Sequence, residues 1–205
     1  MASQVRVRAP RPVRRSHAER TAETRRRVLD AVVECIAELG FQRTTGTEIA
    51  RRAGISWGAV QHHFGDKNGI LAAVLEESFH RLAATLGRPD ADAPLEARVS
   101  TFIERAWQHF GGPHYRTTFE ILLNLPPEME SSWAPGVLGT WQEIWRQYFP
   151  ESPLDERETA DLMRYAVSVL SGLATTNILE GRRGRAGRAL ARLEATLLHE
   201  LAPRG

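Results

Sequence analysis

The sequence predicts an all-α protein of about nine helices, with a small N-terminal helical module followed by a larger helical domain. Apolar residues recur every three to four positions along most of the chain, and the period-two alternation of strands is scarce. Glycine and proline residues divide the chain into segments of helical length. Of the 205 residues, 42% are hydrophobic and 25% charged, which is typical of a globular protein with a sizeable core.

Four helices are expected in the first half, over residues 28–39, 45–53, 57–64 and 67–86, each followed by a glycine or a short turn. A loop rich in proline and aspartate follows Gly87. The later helices are expected at about 95–110, 114–125, 134–149, 155–180 and 186–201.

Composition narrows the class of protein. No apolar run approaches the roughly 20 residues of a membrane-spanning helix, and no apolar segment follows the basic N-terminus, as a secretory signal would require. Cys35 is the only cysteine, which excludes an internal disulfide and suits a reducing compartment. We therefore expect a cytoplasmic protein without a membrane segment.

The charge is unevenly distributed. Residues 1–27 contain nine arginines against Glu19 and Glu23, a net charge of +7, so the remainder carries −5 within a total of +2. A basic segment on an acidic body favours a polyanionic partner, although a solvated tail has the same composition. Residues 1–20 are expected to form a disordered basic arm, which could add contacts to nucleic acid.

Residues 45–64 have the pattern of two short helices joined by a tight turn. Thr45 followed by Glu48 predicts a capping box, in which each side chain accepts from the backbone amide of the other residue. Gly54 permits the positive φ of a sharp turn, and Ser56 can cap the next helix. This arrangement is typical of a helix-turn-helix unit.

The second of these helices has the features of a helix that enters the major groove. Val60 and Phe64 lie four residues apart and can anchor one face, while the small residues Gly58 and Ala59 would let the helix approach DNA closely. The remaining positions project outward or lie at the N-terminal end: Trp57, Gln61, His62 and His63.

Residues 40–67, GFQRTTGTEIARRAGISWGAVQHHFGDK, resemble the TetR family of bacterial regulators. The matching positions are Gly40-Phe41, Thr44-Thr45, Ile49-Ala50, Ala53-Gly54-Ile55-Ser56, Gly58-Ala59, Phe64 and Lys67, followed by Ile70-Leu71. The resemblance covers residues 21–80, and the later helices match in number and length only. It implies a DNA-binding domain over 21–66 and an effector-binding and dimerisation domain over 67–205.

The resemblance further implies a homodimeric repressor that binds a palindromic operator in double-stranded DNA and is released by a small apolar or aromatic effector. The alternative is a ligand-binding helical protein without specific DNA binding. An enzyme is disfavoured because no nucleophile–base pair, phosphate-binding glycine loop or metal-ligand spacing is present. No catalytic residue, cofactor or metal is expected.

Several residues are expected to contact DNA. By resemblance, phosphate contacts come from Arg43, Thr45, Thr47 and Lys67, the only lysine of the chain. Gln61 replaces the tyrosine usual in the family, and its partner, a phosphate or an adenine, stays open. Trp57 could contact DNA or be buried against the first helix. The full predicted set is Arg43, Thr45, Thr47, Ser56, Trp57, Gly58, Ala59, Gln61, His62, His63 and Lys67.

Aromatic residues are concentrated between positions 95 and 165, where they could form either core or an effector cavity. The predicted cavity lining is Trp107, Phe110, Phe119, Leu122, Trp141, Trp145, Tyr165 and Asn177, with His109 and Thr118 as further polar anchors. A leucine stripe on the last helix (Leu190, Leu193, Leu197 and Leu201), together with Val167, Leu170, Leu173 and Ala174, predicts a dimer interface; the alternative is burial within the chain.

Overall fold

The computed structural model describes residues 16–112, 114–126, 139–180 and 186–203. Within these ranges it contains nine α-helices, one short 3-10 helix and no strand, which confirms the predicted all-α class. No helix there is both long and apolar enough to cross a membrane. The helices are α1 His17–Leu39, α2 Gly46–Ala53, α3 Trp57–Phe64, α4 Lys67–Leu86, α5 Leu95–Phe110, α6 Tyr115–Leu123, α7 at 139–148, α8 Glu156–Glu180 and α9 Gly187–Leu201, and the 3-10 helix is Phe41–Arg43.

Helix α1 begins earlier than the sequence pattern indicated. Ser16 and Glu19 form a complete capping box: the Ser16 hydroxyl accepts from the Glu19 amide at 3.1 Å, and the Glu19 carboxylate accepts from the Ser16 amide at 2.7 Å. Residues 17–20, expected to belong to a disordered arm, are therefore helical. The rest of the predicted arm lies at positions 1–15, outside the described residues.

The first apolar core lies among α1, α2, α3 and the first half of α4. Ile49 of α2 and Val60 of α3 are fully buried in it, together with Ile36 of α1. Ile121 of α6 belongs to the same core and is also fully buried. The helix-turn-helix unit therefore packs directly against a helix of the second half of the chain.

The second core is built from the C-terminal half of α4 with α5, the start of α6, α7, α8 and α9. Its centre is aromatic: Phe102 meets Trp145, Tyr148 and Phe149 edge-on, with ring centroids 5.3 to 5.6 Å apart. Most of the aromatic cluster in this half of the chain is thus core.

The leucine stripe of α9 belongs to this second core. Leu193, Leu197 and Leu201 are at most 3% exposed and Leu190 packs beside them, because α9 lies on α5 and α8 of its own chain. On α8, Leu170 and Ala174 are likewise buried in this core. Intramolecular packing therefore covers Leu170, Ala174, Leu193, Leu197 and Leu201, which contradicts their assignment to a dimer interface, whereas Val167, Leu173 and Leu190 are only half-buried.

The α3–α4 junction depends on close backbone approach. Gly65 ends α3 with φ of 79°, and the Asp66 carboxylate caps α4 by accepting from the Gly69 amide at 2.9 Å. A Cβ at Gly69 would lie 1.9 Å from the carbonyl oxygen of Phe64. This position therefore has no room for a side chain.

Gly69→Ala should lower the free energy of unfolding by about 2 kcal/mol, because the backbone at the end of α3 must move to admit the methyl group. Urea denaturation followed by circular dichroism measures the change. The control is Gly187→Ala, where an added Cβ meets nothing within 4 Å, with an expected change below about 0.5 kcal/mol. Equal stability of the two variants would contradict this account of the junction.

Candidate nucleic-acid interface and internal cavity

The turn between α2 and α3 has the expected helix-turn-helix geometry. Gly54 adopts the left-handed conformation at φ of 66°, and the Ser56 hydroxyl caps α3 by accepting from the Ala59 amide at 3.2 Å. The turn therefore joins α2 to α3, and α3 lies on the outer surface of the helix-turn-helix unit.

The predicted capping box on α2 is only half formed. The Thr45 hydroxyl accepts from the Glu48 amide at 3.2 Å. The Glu48 carboxylate instead accepts from Arg51 and Arg52 at 2.6 to 3.0 Å, and these hydrogen bonds lower its pKa to about 2. Two guanidinium groups out-compete one backbone amide because each adds the attraction of opposite charges to its hydrogen bond.

Two arginines of α1 hold the ends of the short helices, a role that sequence reasoning missed. Arg25 Nη1 donates to the carbonyl oxygen of His63 at 2.8 Å, and its guanidinium lies 4.5 Å from the ring centroid of Phe64. Arg27 Nη2 donates to the carbonyl oxygens of Ala53 and Gly54. A cation that binds the last carbonyl groups of a helix stabilises that helix. Arg25 and Arg27 therefore stabilise the helix-turn-helix unit through contacts within the chain.

Helix α3 presents a mixed outer surface. Gly58, Gln61 and His62 are exposed, Ala59 and His63 are half-buried, and Val60 and Phe64 pack into the core. Trp57 is also half-buried. Its indole lies over the start of α2, where a Cβ on Gly46 would be 2.6 Å from the ring. The indole therefore packs over the start of α2, against the first core.

The predicted phosphate-contacting residues lie at helix ends around α3. Arg43 is exposed in the 3-10 helix, and Thr45 and Thr47 are exposed at the start of α2. Lys67 is half-buried at the start of α4, with its ammonium 4.9 Å from the ring centroid of Phe41.

Helix α6 ties this unit to the second half of the chain. The Glu120 carboxylate accepts from the Phe41 amide at 3.2 Å, and Gln42 Nε2 donates to Asn124 Oδ1 at 3.0 Å. The 3-10 helix that leads into α2 is thus hydrogen-bonded to α6.

A largely apolar cavity of about 350 Å³ lies between α4, α5, α6, α7 and α8. Three of the predicted lining residues, Phe110, Leu122 and Trp141, line it, as do the predicted anchors His109 and Thr118. The lining residues that sequence reasoning missed are Ser78, Phe79, Leu82, Tyr115, Ala160, Met163, Arg164 and Val167.

The other predicted lining residues lie elsewhere. Trp145 is buried in the aromatic core, and Trp107 and Phe119 pack against that core without lining this cavity. Tyr165 is 44% exposed, and Asn177 lies near the end of α8, half-buried outside the cavity. Periodicity alone does not separate core positions from positions that line the cavity, because both fall on the apolar faces of helices.

Comparisons with known proteins agree with this geometry. The profile of bacterial regulatory proteins of the tetR family matches residues 28–74. The HTH-type transcriptional regulator BetI of Escherichia coli (strain K12) is 47% identical over 179 residues, covering 70% of this chain and 92% of that protein. The chain belongs to the TetR family.

Other known proteins match a smaller part of the chain or share its fold at low sequence identity. BetI of Cronobacter sakazakii (strain ATCC BAA-894) is 42% identical over 84 residues, which cover 39% of this chain and 41% of that protein. The chain spans about half the length or less of several BetI relatives that it matches. The structure of NalD, the secondary repressor of the MexAB-OprM multidrug efflux pump in Pseudomonas aeruginosa, shares the fold at a TM-score of 0.64 with 20% identity, covering 90% of this chain and 98% of NalD.

Two titratable groups of this TetR-family protein border the cavity. Burial lowers the pKa of His109 to about 4, with a smaller contribution from His114, so its imidazole is neutral at pH 7. Burial also raises the pKa of Tyr115 to about 12. At neutral pH these side chains therefore present hydrogen-bonding groups without a net charge.

His109 should make the free energy of unfolding depend on pH. Its pKa rises from about 4 in the folded chain to its ordinary 6.5 on unfolding, so stability falls as the pH drops from about 6.5 towards 4. The loss is at most about 3 kcal/mol. His109→Gln should remove this part of the pH dependence in urea denaturation between pH 7 and pH 4. Identical slopes for the two proteins would contradict it.

Proposed function

We propose that this TetR-family chain is a DNA-binding transcriptional repressor whose helix α3 enters the major groove. In this proposal an effector-free homodimer in the cytoplasm binds a palindromic operator and leaves it when a small apolar or aromatic molecule occupies the cavity. The observation that carries the proposal is the empty space at Gly58, on the exposed surface of α3.

Internal packing does not require a glycine at position 58. A Cβ there would have only the Ser56 Oγ within 4 Å, at 4.0 Å. Gly46 and Gly69, in contrast, have no room for a side chain because Trp57 and the Phe64 carbonyl lie too close. An α-helix is more stable with alanine than with glycine. A small residue at position 58 is therefore best explained by a binding partner whose surface must approach the outer face of α3 closely.

The surroundings of Gly58 suit DNA. Gln61 and His62 are exposed on the same short helix and can form hydrogen bonds to base edges or phosphates. Arg43 at the end of the 3-10 helix, Thr47 in the first turn of α2 and Lys67 at the start of α4 are placed to reach the backbone of a duplex. We assign α3 to readout of sequence and the flanking residues to phosphate contacts.

A dimer places two copies of α3 on one operator. The outer face of α8 carries Tyr165, 44% exposed, and Leu179, 82% exposed, with the exposed small residues Ser168, Gly172 and Thr176 between them. Apolar residues that stay exposed beside small ones favour close packing of a second helix. We propose this face, rather than the buried leucines of α9, as the dimer contact.

The contacts of α6 offer a route from the cavity to α3. Thr118 lines the cavity, and its hydroxyl lies 2.8 Å from that of Ser78 on the linking helix α4. Two residues further along α6, Glu120 binds the amide of Phe41. A ligand with different affinities for two positions of α4 and α6 would change the separation of the two α3 helices in the dimer.

Names of relatives support the regulatory class. The BetI proteins are named HTH-type transcriptional regulators, and NalD is described as a repressor. A ligand-binding protein of the same fold without specific DNA binding is the competing function. It predicts ligand binding in the cavity with no preferred DNA sequence.

The DNA-binding proposal predicts that the purified protein selects a palindromic sequence from random or genomic DNA fragments. Gly58→Leu should weaken binding to the selected sequence at least 100-fold, because the side chain holds α3 away from the base edges. Fluorescence anisotropy with the selected duplex at several salt concentrations measures the loss. Affinity of the unchanged protein should fall steeply with salt.

Gly187→Leu is the matched control, because that position also has open space around it and lies on α9. It should bind DNA like the unchanged protein, and thermal unfolding should show both variants folded. Failure to select any sequence would support the competing function. Full DNA affinity in Gly58→Leu would mean that another helix enters the groove.

The dimer proposal predicts that Gly172→Arg yields a monomer. A Cβ at this position meets nothing within 4 Å of its own chain, so folding is expected to be unaffected. A long charged side chain between two packed helices would separate them. Sedimentation equilibrium measures the mass, with Gly58→Leu as the variant expected to stay dimeric. A Gly172→Arg protein with the mass of a dimer would exclude this face as the interface.

A further inference from the structure

The structure narrows the set of α3 side chains that can reach the base edges of bound DNA. The indole of Trp57 is half-buried over the start of α2, so it is already engaged within the chain. Ala59 is half-buried and offers only a methyl group. Of the eight residues of α3, all of them described, Gln61 and His62 are the exposed ones with a polar side chain.

Gln61 borders the open space at Gly58. The two residues are three positions apart, so they are neighbours on one face of α3, and a helical side chain covers the turn that precedes it. A Cβ at Gly58 would have only the Ser56 Oγ within 4 Å, at 4.0 Å. His62 flanks the same space, but its ring lies edge-on to that of His63, with centroids 5.5 Å apart. The carboxamide of Gln61 therefore faces a surface onto which the floor of a groove can fit.

The carboxamide of Gln61 is not engaged within the described part of the chain. Its side chain forms no hydrogen bond with any other described residue. Two other exposed glutamines differ in this respect: Gln42 Nε2 donates to Asn124 Oδ1 and Gln147 Nε2 donates to the Glu143 carboxylate, each at 3.0 Å. Both the donor and the acceptor of Gln61 are therefore available to a molecule outside the chain.

The chemistry of a free carboxamide favours adenine over phosphate. Its Nε2 donates and its Oε1 accepts, and the major-groove edge of adenine offers the matching pair, the N7 acceptor and the N6 donor. A phosphate offers acceptors only, which would leave Oε1 without a partner beside an anion. The guanidinium of Arg43 and the ammonium of Lys67 are better phosphate ligands, because a cation binds an anion more strongly than a neutral amide does.

We propose that Gln61 reads one adenine in each half of the operator, with Nε2 donating to N7 and Oε1 accepting from the N6 amino group. This assignment rests on the proposed function, because it requires α3 to enter the major groove. The absence of a side chain at Gly58 lets the helix backbone come close enough for the carboxamide to lie in the plane of the base. Gln61 is then a specificity-determining residue, and both half-sites have an A·T pair at the same position.

Selection of sequences from random duplex DNA, by the unchanged protein and by three variants, tests the assignment. Gln61→Ala should lose the preference for A·T at one position of each half-site and keep the preferences at all other positions. Lys67→Ala should bind all sequences more weakly with the same preferences, since a phosphate contact carries no sequence information. Gln147→Ala, which removes an exposed glutamine from α7, should change neither affinity nor preference.

A duplex with 7-deazaadenine at the assigned position of both half-sites isolates one atom of the contact. This base pairs normally with thymine but has a C–H group in place of the N7 acceptor. In fluorescence anisotropy the replacement should lower the affinity of the unchanged protein about tenfold, and that of Gln61→Ala less than about twofold. Thermal unfolding should show Gln61→Ala folded, because the side chain is exposed and alanine favours a helix.

The outcomes separate this assignment from the repressor function. If the unchanged protein selects a sequence but Gln61→Ala keeps every preference, or weakens binding to all sequences equally, the assignment fails and the repressor function stands. An equal effect of 7-deazaadenine on the unchanged protein and on Gln61→Ala would also overturn the assignment alone. If the unchanged protein selects no sequence, the repressor function fails and the assignment fails with it.

Discussion

The burial of α6 in both cores is the constraint on which the rest of the structure depends. Ile121 is fully buried among α1, α2 and α4, whereas Tyr115, six residues earlier, is buried among α4, α5 and α8. Between them Thr118 meets Ser78, and Glu120 meets the backbone at Phe41. Because one short helix is packed into two cores, the DNA-binding unit cannot turn independently of the cavity walls.

The glycines show how internal packing and external contact can be told apart. Two of them, Gly46 and Gly69, are explained by neighbours within the chain that leave no room for a Cβ. Gly58 has open space around it on an exposed helix, so its small size is explained by a contact with a molecule outside the chain. All three lie within residues 46–69, but only the positions of surrounding atoms separate their roles.

Electrostatics within the N-terminal unit is mostly internal. Arg25, Arg27 and Arg52, which sequence reasoning counts as positive charge, are bound to helix carbonyls or to Glu38 and Glu48. The number of basic residues in this unit therefore overstates the number of cationic groups that are free to bind a polyanion. The groups that stay available near α3 are fewer, and they lie at the ends of helices.

The sequence by itself determined the helices, the turn at Gly54 and the family, because these depend on local periodicity, capping residues and a short motif. It did not determine which apolar residues line a cavity. Trp145 and Trp141 lie four residues apart on one helix and both are buried in the second core, yet only Trp141 also borders the cavity. Only the tertiary structure decides which residues line the cavity, because that depends on how distant helices pack against each face of a helix. The same packing turned the leucines of α9 inward.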